Sequence, residues 1–268
     1  MIPVSRLTQV PQILQTKANQ WLTELKTIKA NPNATKSQRE NAINKYRHSE
    51  VKQALVGIFH GKCAYCESQI LTVGYGDIEH FYPKSKYTDL TFEWTNLLLS
   101  CTICNNPQHK GTKFPLDVND KPLLIDPTDE QTDIFEHLQL TWDQTANQAW
   151  IDGLTDRGKT VVNIFDLNDQ RGTRKELIRE RSKKVKTMLA LLTMATSEKI
   201  DDINRKEAIN LLKESCNIEE PYLAFALFYI LPFLAHHYQD LDAIDLLKKV
   251  GKRSFGYSLF ARINQLPD

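Results

Sequence analysis

The chain has no excess of positive charge. Its 34 Lys and Arg are nearly balanced by 33 Asp and Glu, for a net charge of +1. Any surface for nucleic acid therefore has to be a local patch rather than a global field. Long hydrophobic runs are also missing. The longest, residues 222–235, has 14 residues and is interrupted by Pro232. That is too short to span a bilayer and predicts a buried helix. Residues 1–10 contain no basic segment followed by an apolar run, so they do not read as a secretory leader. There is no internal repeat, no low-complexity tract and no Gly-x-x-x-x-Gly-Lys-Ser/Thr loop, so the chain does not bind nucleotide through a P-loop of its own. Cysteine is scarce, with five in 268 residues. Nothing indicates export, so the expectation is a cytoplasmic protein with no membrane association. Its thiols then stay reduced, which favours metal binding over disulfides.

What is present is ordinary in bulk. Apolar residues make up 41% and charged residues 25%, enough for a globular core in one large or two small domains. Residues 10–29 place Ile13, Leu14, Trp21, Leu22, Leu25 and Ile28 at near-helical spacing, and Asn31-Pro32-Asn33 breaks the pattern. Residues 51–59 predict a short helix with Val51, Leu55, Ile58 and Phe59 on one side, stopped by Gly61. From 63 to 115 the texture changes to glycines, aromatics and short apolar runs. Two strands are expected at 138–142 and 148–151, and the pattern is helical from Gly153 onward. The predicted fold class is α+β, mostly helical. Its expected parts are an N-terminal helical segment (1–60), a compact core (61–127) and a mainly helical C-terminal region (128–268).

Four of the cysteines form two matched pairs, Cys63-Ala-Tyr-Cys66 and Cys101-Thr-Ile-Cys104. Two residues between thiolates let both sulfurs face one tetrahedral ion, and two such pairs complete a four-cysteine zinc site. Such a site has no open position and is structural. The alternatives are a redox pair, disfavoured because there are two separate pairs, and buried free thiols. Cys216 stands outside both pairs and reads as a core residue. The 34 residues between the pairs exceed the gap of an ordinary zinc ribbon, so something folded must fit inside.

Inside the gap lies Gly76-Asp77-Ile78-Glu79-His80-Phe81-Tyr82-Pro83, whose alternation predicts a strand. Residues 94–100, Trp-Thr-Asn-Leu-Leu-Leu-Ser, are a second strand candidate. The second cysteine pair and Asn105-Asn106-Pro107-Gln108-His109-Lys110-Gly111 follow. Strand, loop, strand and a short helix make a ββα arrangement. A His beside a Glu is commonly a surface pair, but here it sits between two metal half-sites, which marks it as catalytic. A neutral imidazole suits water activation. A carboxylate and an amide oxygen suit a hard cation such as Mg²⁺ or Mn²⁺. His109 reads as a second ligand, a phosphate contact or, in the preferred reading, an exposed helix-end residue. Lys110 and Lys113 are candidate phosphate contacts, or else solvated loop lysines.

The ordered set Cys-Ala-Tyr-Cys, Ile-Glu-His-Phe-Tyr-Pro-Lys-Ser, Trp-Thr-Asn-Leu-Leu-Leu-Ser-Cys-Thr-Ile-Cys-Asn and Lys-Gly-Thr-Lys-Phe-Pro resembles the HNH endonucleases. More narrowly, it resembles the PtuB nucleases of Septu and retron anti-phage defence systems. The strong match covers residues 63–115, and a weaker one continues through Asp126-Pro127 and Asp166-Leu167-Asn168. The resemblance implies a zinc-stapled ββα-metal core flanked by helices. His80 is then the general base and Asn96 the residue that holds the hairpin and orients it. Glu79 and Asn105 ligate the catalytic Mg²⁺ or Mn²⁺, with Asn105 standing where the motif's name has His. It also implies a PtuA-like ATPase partner, and a nucleic-acid substrate, with DNA preferred and RNA, including tRNA, open.

Beyond the core, residues 171–186 carry eight basic and two acidic residues. Lys175, Arg179, Lys183 and Lys186 share one helical face, which either tracks a phosphate backbone or is a solvated face of an amphipathic helix. Phe225, Phe228, Tyr229 and Phe233 form a helical aromatic stripe, core in the simpler reading. The apolar helices between Tyr222 and Leu247 are the expected docking surface for a partner. The competing reading of the whole chain is a catalytically silent zinc module that binds nucleic acid or protein.

Overall fold

The apolar spacing of the N-terminal segment becomes a helix that lies on the core. In the computed structural model, which describes residues 1–6, 10–71, 74–230 and 234, α1 (Gln12–Ala30) buries Leu14 and Leu25. Trp21 meets Phe92 edge-on with 5.7 Å between ring centroids. A capping box starts α2 (Lys36–Ile43): Thr35 Oγ1 accepts from the Gln38 amide and Gln38 Oε1 accepts from the Thr35 amide, so two orphan donors are satisfied at once. A 3-10 turn (Asn44–Arg47) then buries Tyr46. α3 (Ser49–Phe59) buries Val51, Leu55, Ile58 and Phe59. It ends where His60 and Gly61 take positive φ, the left-handed cap that Gly accepts without strain.

The chain next forms an antiparallel pair, β1 (Asp77–His80) and β2 (Leu97–Ser100), with Ile78 opposite Leu99 and His80 opposite Leu97. All four residues of β2 are buried. A strand covered on both faces reads as a continuous apolar run, and α3 packs against it. The strand expected over 94–100 is shorter than the sequence suggests, because Trp94–Asn96 form a 3-10 turn first. Arg6 stabilises that turn: its guanidinium donates to the carbonyls of Trp94 (2.8 Å) and Leu97 (2.7 Å) and lies 5.2 Å from the Trp94 ring centroid. β2 leads into a single helical turn, α4 (Thr102–Asn105).

After α5 (Ile134–His137), a second antiparallel hairpin pairs β3 (Leu138–Asp143) with β4 (Gln148–Gly153), covering both strands expected there. Gly158 lets α6 (Asp156–Ile164) approach it, since a Cβ at that position would sit 1.9 Å from the His137 carbonyl oxygen. α7 (Gly172–Thr196) packs on α8 (Asp202–Ser215) and on β4. Arg181 is buried in this contact, donating to the carbonyls of Ala149 and Leu167 and to Asn168 Oδ1. The Asn168 amide bonds both the N–H and the C=O of Ile151. These contacts fix the 166–168 turn against the sheet, because a buried guanidinium is tolerated only where carbonyls satisfy it.

About half of the described residues are helical and the strands form two small sheets, an α+β protein. One buried apolar cluster includes residues from Met1 to Leu234, Cys216 among them. In α9 (Leu223–Tyr229), Phe225 is buried and the Tyr229 hydroxyl donates to the Leu140 carbonyl, so this part of the aromatic stripe faces the second hairpin. Phe233 and the expected docking helix up to Leu247 lie outside the described residues. Among the described residues no helix is long and apolar enough to cross a membrane.

Candidate active site

The two cysteine pairs converge because both are tied to β2. The Ala64 amide donates to the Leu99 carbonyl, which docks the first pair beside the strand, and the second pair follows directly from its end. The four sulfurs lie within 4.8 Å of one another, and Cys66 and Cys101 Sγ are 3.8 Å apart. A tetrahedral Zn²⁺ with bonds of about 2.3 Å needs sulfurs roughly 3.8 Å apart, so the set can hold zinc. Donors reach two of the sulfurs. The Cys104 amide donates to Cys101 Sγ at 3.4 Å, and the buried Arg174 donates from Nη2 to Cys104 Sγ at 3.4 Å. Contacts with Cys101, then Cys104 and Cys63, pull the Cys66 thiol well below its ordinary pKa. Burial pushes the Cys104 thiol up, a cost a bound cation would offset.

Glu79 and His80 close β1 and are both buried. His80 Nε2 lies 2.9 Å from the Thr91 carbonyl. A carbonyl only accepts, so Nε2 carries the proton and Nδ1 keeps the lone pair of the neutral ring. Burial, followed by the charge of Lys84, lowers the His80 pKa to about 3. The ring meets Tyr46 edge-on at 4.5 Å. Asn96 is also buried: its Oδ1 accepts from the Tyr82 amide at 2.7 Å, and its Nδ2 donates to the carbonyls of Tyr82 and Leu90. It thereby joins both ends of the loop that carries Thr91.

Lys110 corrects the sequence expectation. It is not a solvated loop lysine but fully buried, with Nζ 2.5 Å from Glu79 Oε1 and donating to the His80 carbonyl at 2.7 Å. The 106–111 loop turns it inward because the Lys110 amide bonds the Cys104 carbonyl. The contact engages Glu79 Oε1 in a buried, charge-assisted pair. Burial raises the Glu79 pKa and lowers that of Lys110. His109 is likewise not at an exposed helix end. It is buried, with Nδ1 3.0 Å from Asn106 Oδ1, and its Nε2 accepts from Arg174 Nε at 3.2 Å. Arg174 thus bridges the second cysteine pair and the imidazole.

Glu79, His80 and Asn105 line one cavity of about 350 Å³, together with Asp77, Tyr46, Arg47 and Lys84. Asn105 makes no side-chain hydrogen bond among the described residues, leaving its amide oxygen beside the cavity. Lys113 is exposed and donates to the Gln108 carbonyl. On α7, Lys175, Arg179, Lys183 and Lys186 are all exposed, but Glu176 and Glu180 pair with Arg179. Sequence reasoning passed over Tyr46, Arg47, Lys84 and Arg174 as site residues. Lys84 stands four residues after His80, and Arg174 belongs to the basic run, so both had a local signal. Tyr46 and Arg47 had none.

No family model matches the chain. Two curated relatives are similar to it. A "Septu protein PtuB" of Bacillus mycoides (strain KBAB4) is 31% identical over 166 residues, covering 53% of this chain and 52% of the relative. A "Septu protein PtuB" of Bacillus thuringiensis is 28% identical over 144 residues, covering 53% and 51%. The chain spans about half the length of these relatives.

Proposed function

We propose that this chain is a metal-dependent phosphodiester hydrolase of the HNH type, acting on nucleic acid as the nuclease component of a Septu-like anti-phage defence complex. The observation that carries the reading is the shared cavity: Glu79 and His80 of the first hairpin and Asn105 of α4 line one space beside a four-cysteine cluster. The similarity to two proteins named Septu protein PtuB supports the defence role.

Each residue is then assigned a task. His80 is the general base: with Nε2 donating to Thr91, Nδ1 accepts a proton from the attacking water. Asn96 positions it by fixing the loop that carries Thr91. Glu79 and Asn105 would hold a hard divalent cation, Mg²⁺ or Mn²⁺, through oxygen, with waters completing the shell. When bound, the cation supplies charge stabilisation to the cleaved phosphodiester. The four cysteines hold the structural zinc, and residues 61–127 form the nuclease core, with 1–60 and 128–268 flanking it. DNA is the preferred substrate. An ATPase partner supplies contacts that a chain of near-zero net charge lacks, and docks on the C-terminal region.

Purified chain, alone and with a PtuA-like ATPase, is incubated with DNA and RNA in Mg²⁺ or Mn²⁺. Cleavage is expected from the wild type and not from His80→Ala. Equal cleavage by the variant would remove the proposed base.

A further inference from the structure

Two cations stand at the candidate active site without a salt-bridge partner among the described residues. Arg47 comes from the 3-10 turn between α2 and α3, and Lys84 from the loop after β1. They meet over one aromatic ring: the Arg47 guanidinium carbon is 5.7 Å and Lys84 Nζ 5.1 Å from the Tyr46 centroid. The same ring is edge-on to His80 at 4.5 Å, so both charges are held close to the imidazole. Both line the cavity of about 350 Å³ that contains Glu79, His80 and Asn105.

Neighbouring cations have acidic partners: Lys26 with Asp89, Lys45 with Glu24 and Lys110 with Glu79. Among the described residues Arg47 and Lys84 form no such close pair; the Lys84 charge reaches Glu79 only across the cavity. Arg47 uses only Nε, donating to the Tyr46 hydroxyl at 3.3 Å. Its two terminal nitrogens remain available for bidentate binding of an oxyanion. Two unpaired cations held against one ring repel each other, and an anion between them relieves that repulsion. Asp77 is the remaining acid on the cavity besides Glu79. It sits at the far end of β1 from His80, about 10 Å along the strand, and has Lys52 as a charged neighbour.

We propose that Arg47 and Lys84, both held near the Tyr46 ring, form the phosphate-binding subsite that seats a nucleic-acid backbone against His80. The subsite deepens the nuclease reading and rests on it for its substrate class. It gives the N-terminal segment a function, since residues 44–47 complete the site rather than merely packing beside it. It also concentrates binding charge at the reacting group, whereas the α7 face spends part of its charge on Glu176 and Glu180.

The test uses the full chain carrying His80→Ala, so bound nucleic acid survives, and dye-labelled DNA and RNA oligonucleotides followed by fluorescence anisotropy over a salt series. Arg47→Gln and Lys84→Gln are each expected to weaken binding about tenfold. The double variant should lower the slope of log K against log salt by about 1.8 for duplex DNA, the value for two lost phosphate contacts. Arg47→Lys should keep the slope, and Lys36→Gln, a distant exposed lysine, should change little. Circular dichroism and thermal melting confirm that the exposed Arg47 variant is folded. An unchanged slope, an equal loss with Lys36→Gln, or no binding by the parent at low salt would overturn the subsite. Cleavage assays in the wild-type background separate the two readings. Cleavage by the double variant with unaltered KM refutes the subsite and leaves the nuclease standing. Binding that depends on Arg47 and Lys84, without cleavage in any divalent cation, keeps the subsite and removes the nuclease.

Discussion

Lys110 Nζ lies 2.5 Å from Glu79 Oε1, and both side chains are almost wholly shielded from water, at 0% and 5% exposed. A buried charge is costly unless paired, and removing one member of such a pair leaves the other uncompensated. Lys110→Met is therefore expected to destabilise the divalent-free protein by about 3–5 kcal/mol, measured by urea unfolding. Adding Glu79→Gln should restore much of that loss, because the orphan charge is gone. Mn²⁺ should also stabilise Lys110→Met more than wild type, since the cation then replaces the missing ammonium at Glu79. Equal losses in the single and double variants, with no Mn²⁺ effect, would show that the pair is not coupled.

Zinc is expected at about one ion per chain, the stoichiometry of a single four-cysteine site. Cys104→Ser should lose it and lower the melting temperature, because structural zinc binding contributes folding free energy. Atomic absorption on purified protein, with melting curves before and after chelation, measures both. A zinc-free wild type with an unaltered melting curve would contradict this.

Arg174 donates to Cys104 Sγ and to His109 Nε2, so it supports the ligand from outside the coordination shell. Loss of such a partner typically costs 10–100-fold in metal affinity. Arg174→Met should still bind zinc but release it to a chromogenic chelator about tenfold faster or more. The same release rate as wild type would mean that Arg174 only packs.

The His80 pKa falls to about 3 in the folded protein, below the value near 6.5 of an unfolded chain. Between those pH values the unfolded state binds the extra proton, so stability rises with pH across this window. The contribution is fully present above about pH 6.5 and lost as pH falls toward 3, amounting to a few kcal/mol, on the order of the shift. Urea unfolding of divalent-free wild type should show this slope, and His80→Gln should flatten it. Parallel curves for the two proteins would disprove the linkage.

Glu79→Ala should keep zinc yet lose cleavage, because the carboxylate is assigned to the cavity and not to the cysteine cluster. Zinc content and nuclease assays on one preparation check both halves. Retained cleavage would remove Glu79 from the proposed site.

Much of the site was legible because its signals are local. Cys-x-x-Cys twice, and Glu79-His80 at the end of an alternating run, are fixed by spacing along a few residues, and spacing survives whatever the rest of the chain does. The second hairpin and the long helices were legible for the same reason: period-2 and period-3.6 patterns are local consequences of burying one face. The strand over 94–100 was overestimated because Trp94-Thr95-Asn96 suits a turn as well as an extended segment, and the turn's carbonyls are bound by Arg6, some ninety residues away.

The sequence by itself determined which residues could take part: four thiols in two pairs, an adjacent carboxylate and imidazole, and amides at Asn96 and Asn105. Only the tertiary structure decided their surroundings. Lys110 and His109 read as exposed polar residues of a loop, yet the fold turns one onto Glu79 and the other onto Arg174. Tyr46 and Arg47 come from a segment more than thirty positions before His80 and carry no motif. The physical reason is that charge pairing, burial and the resulting pKa values depend on distance through space and on exclusion of water. Both are set when α3, the hairpin and α7 close around the cysteine cluster.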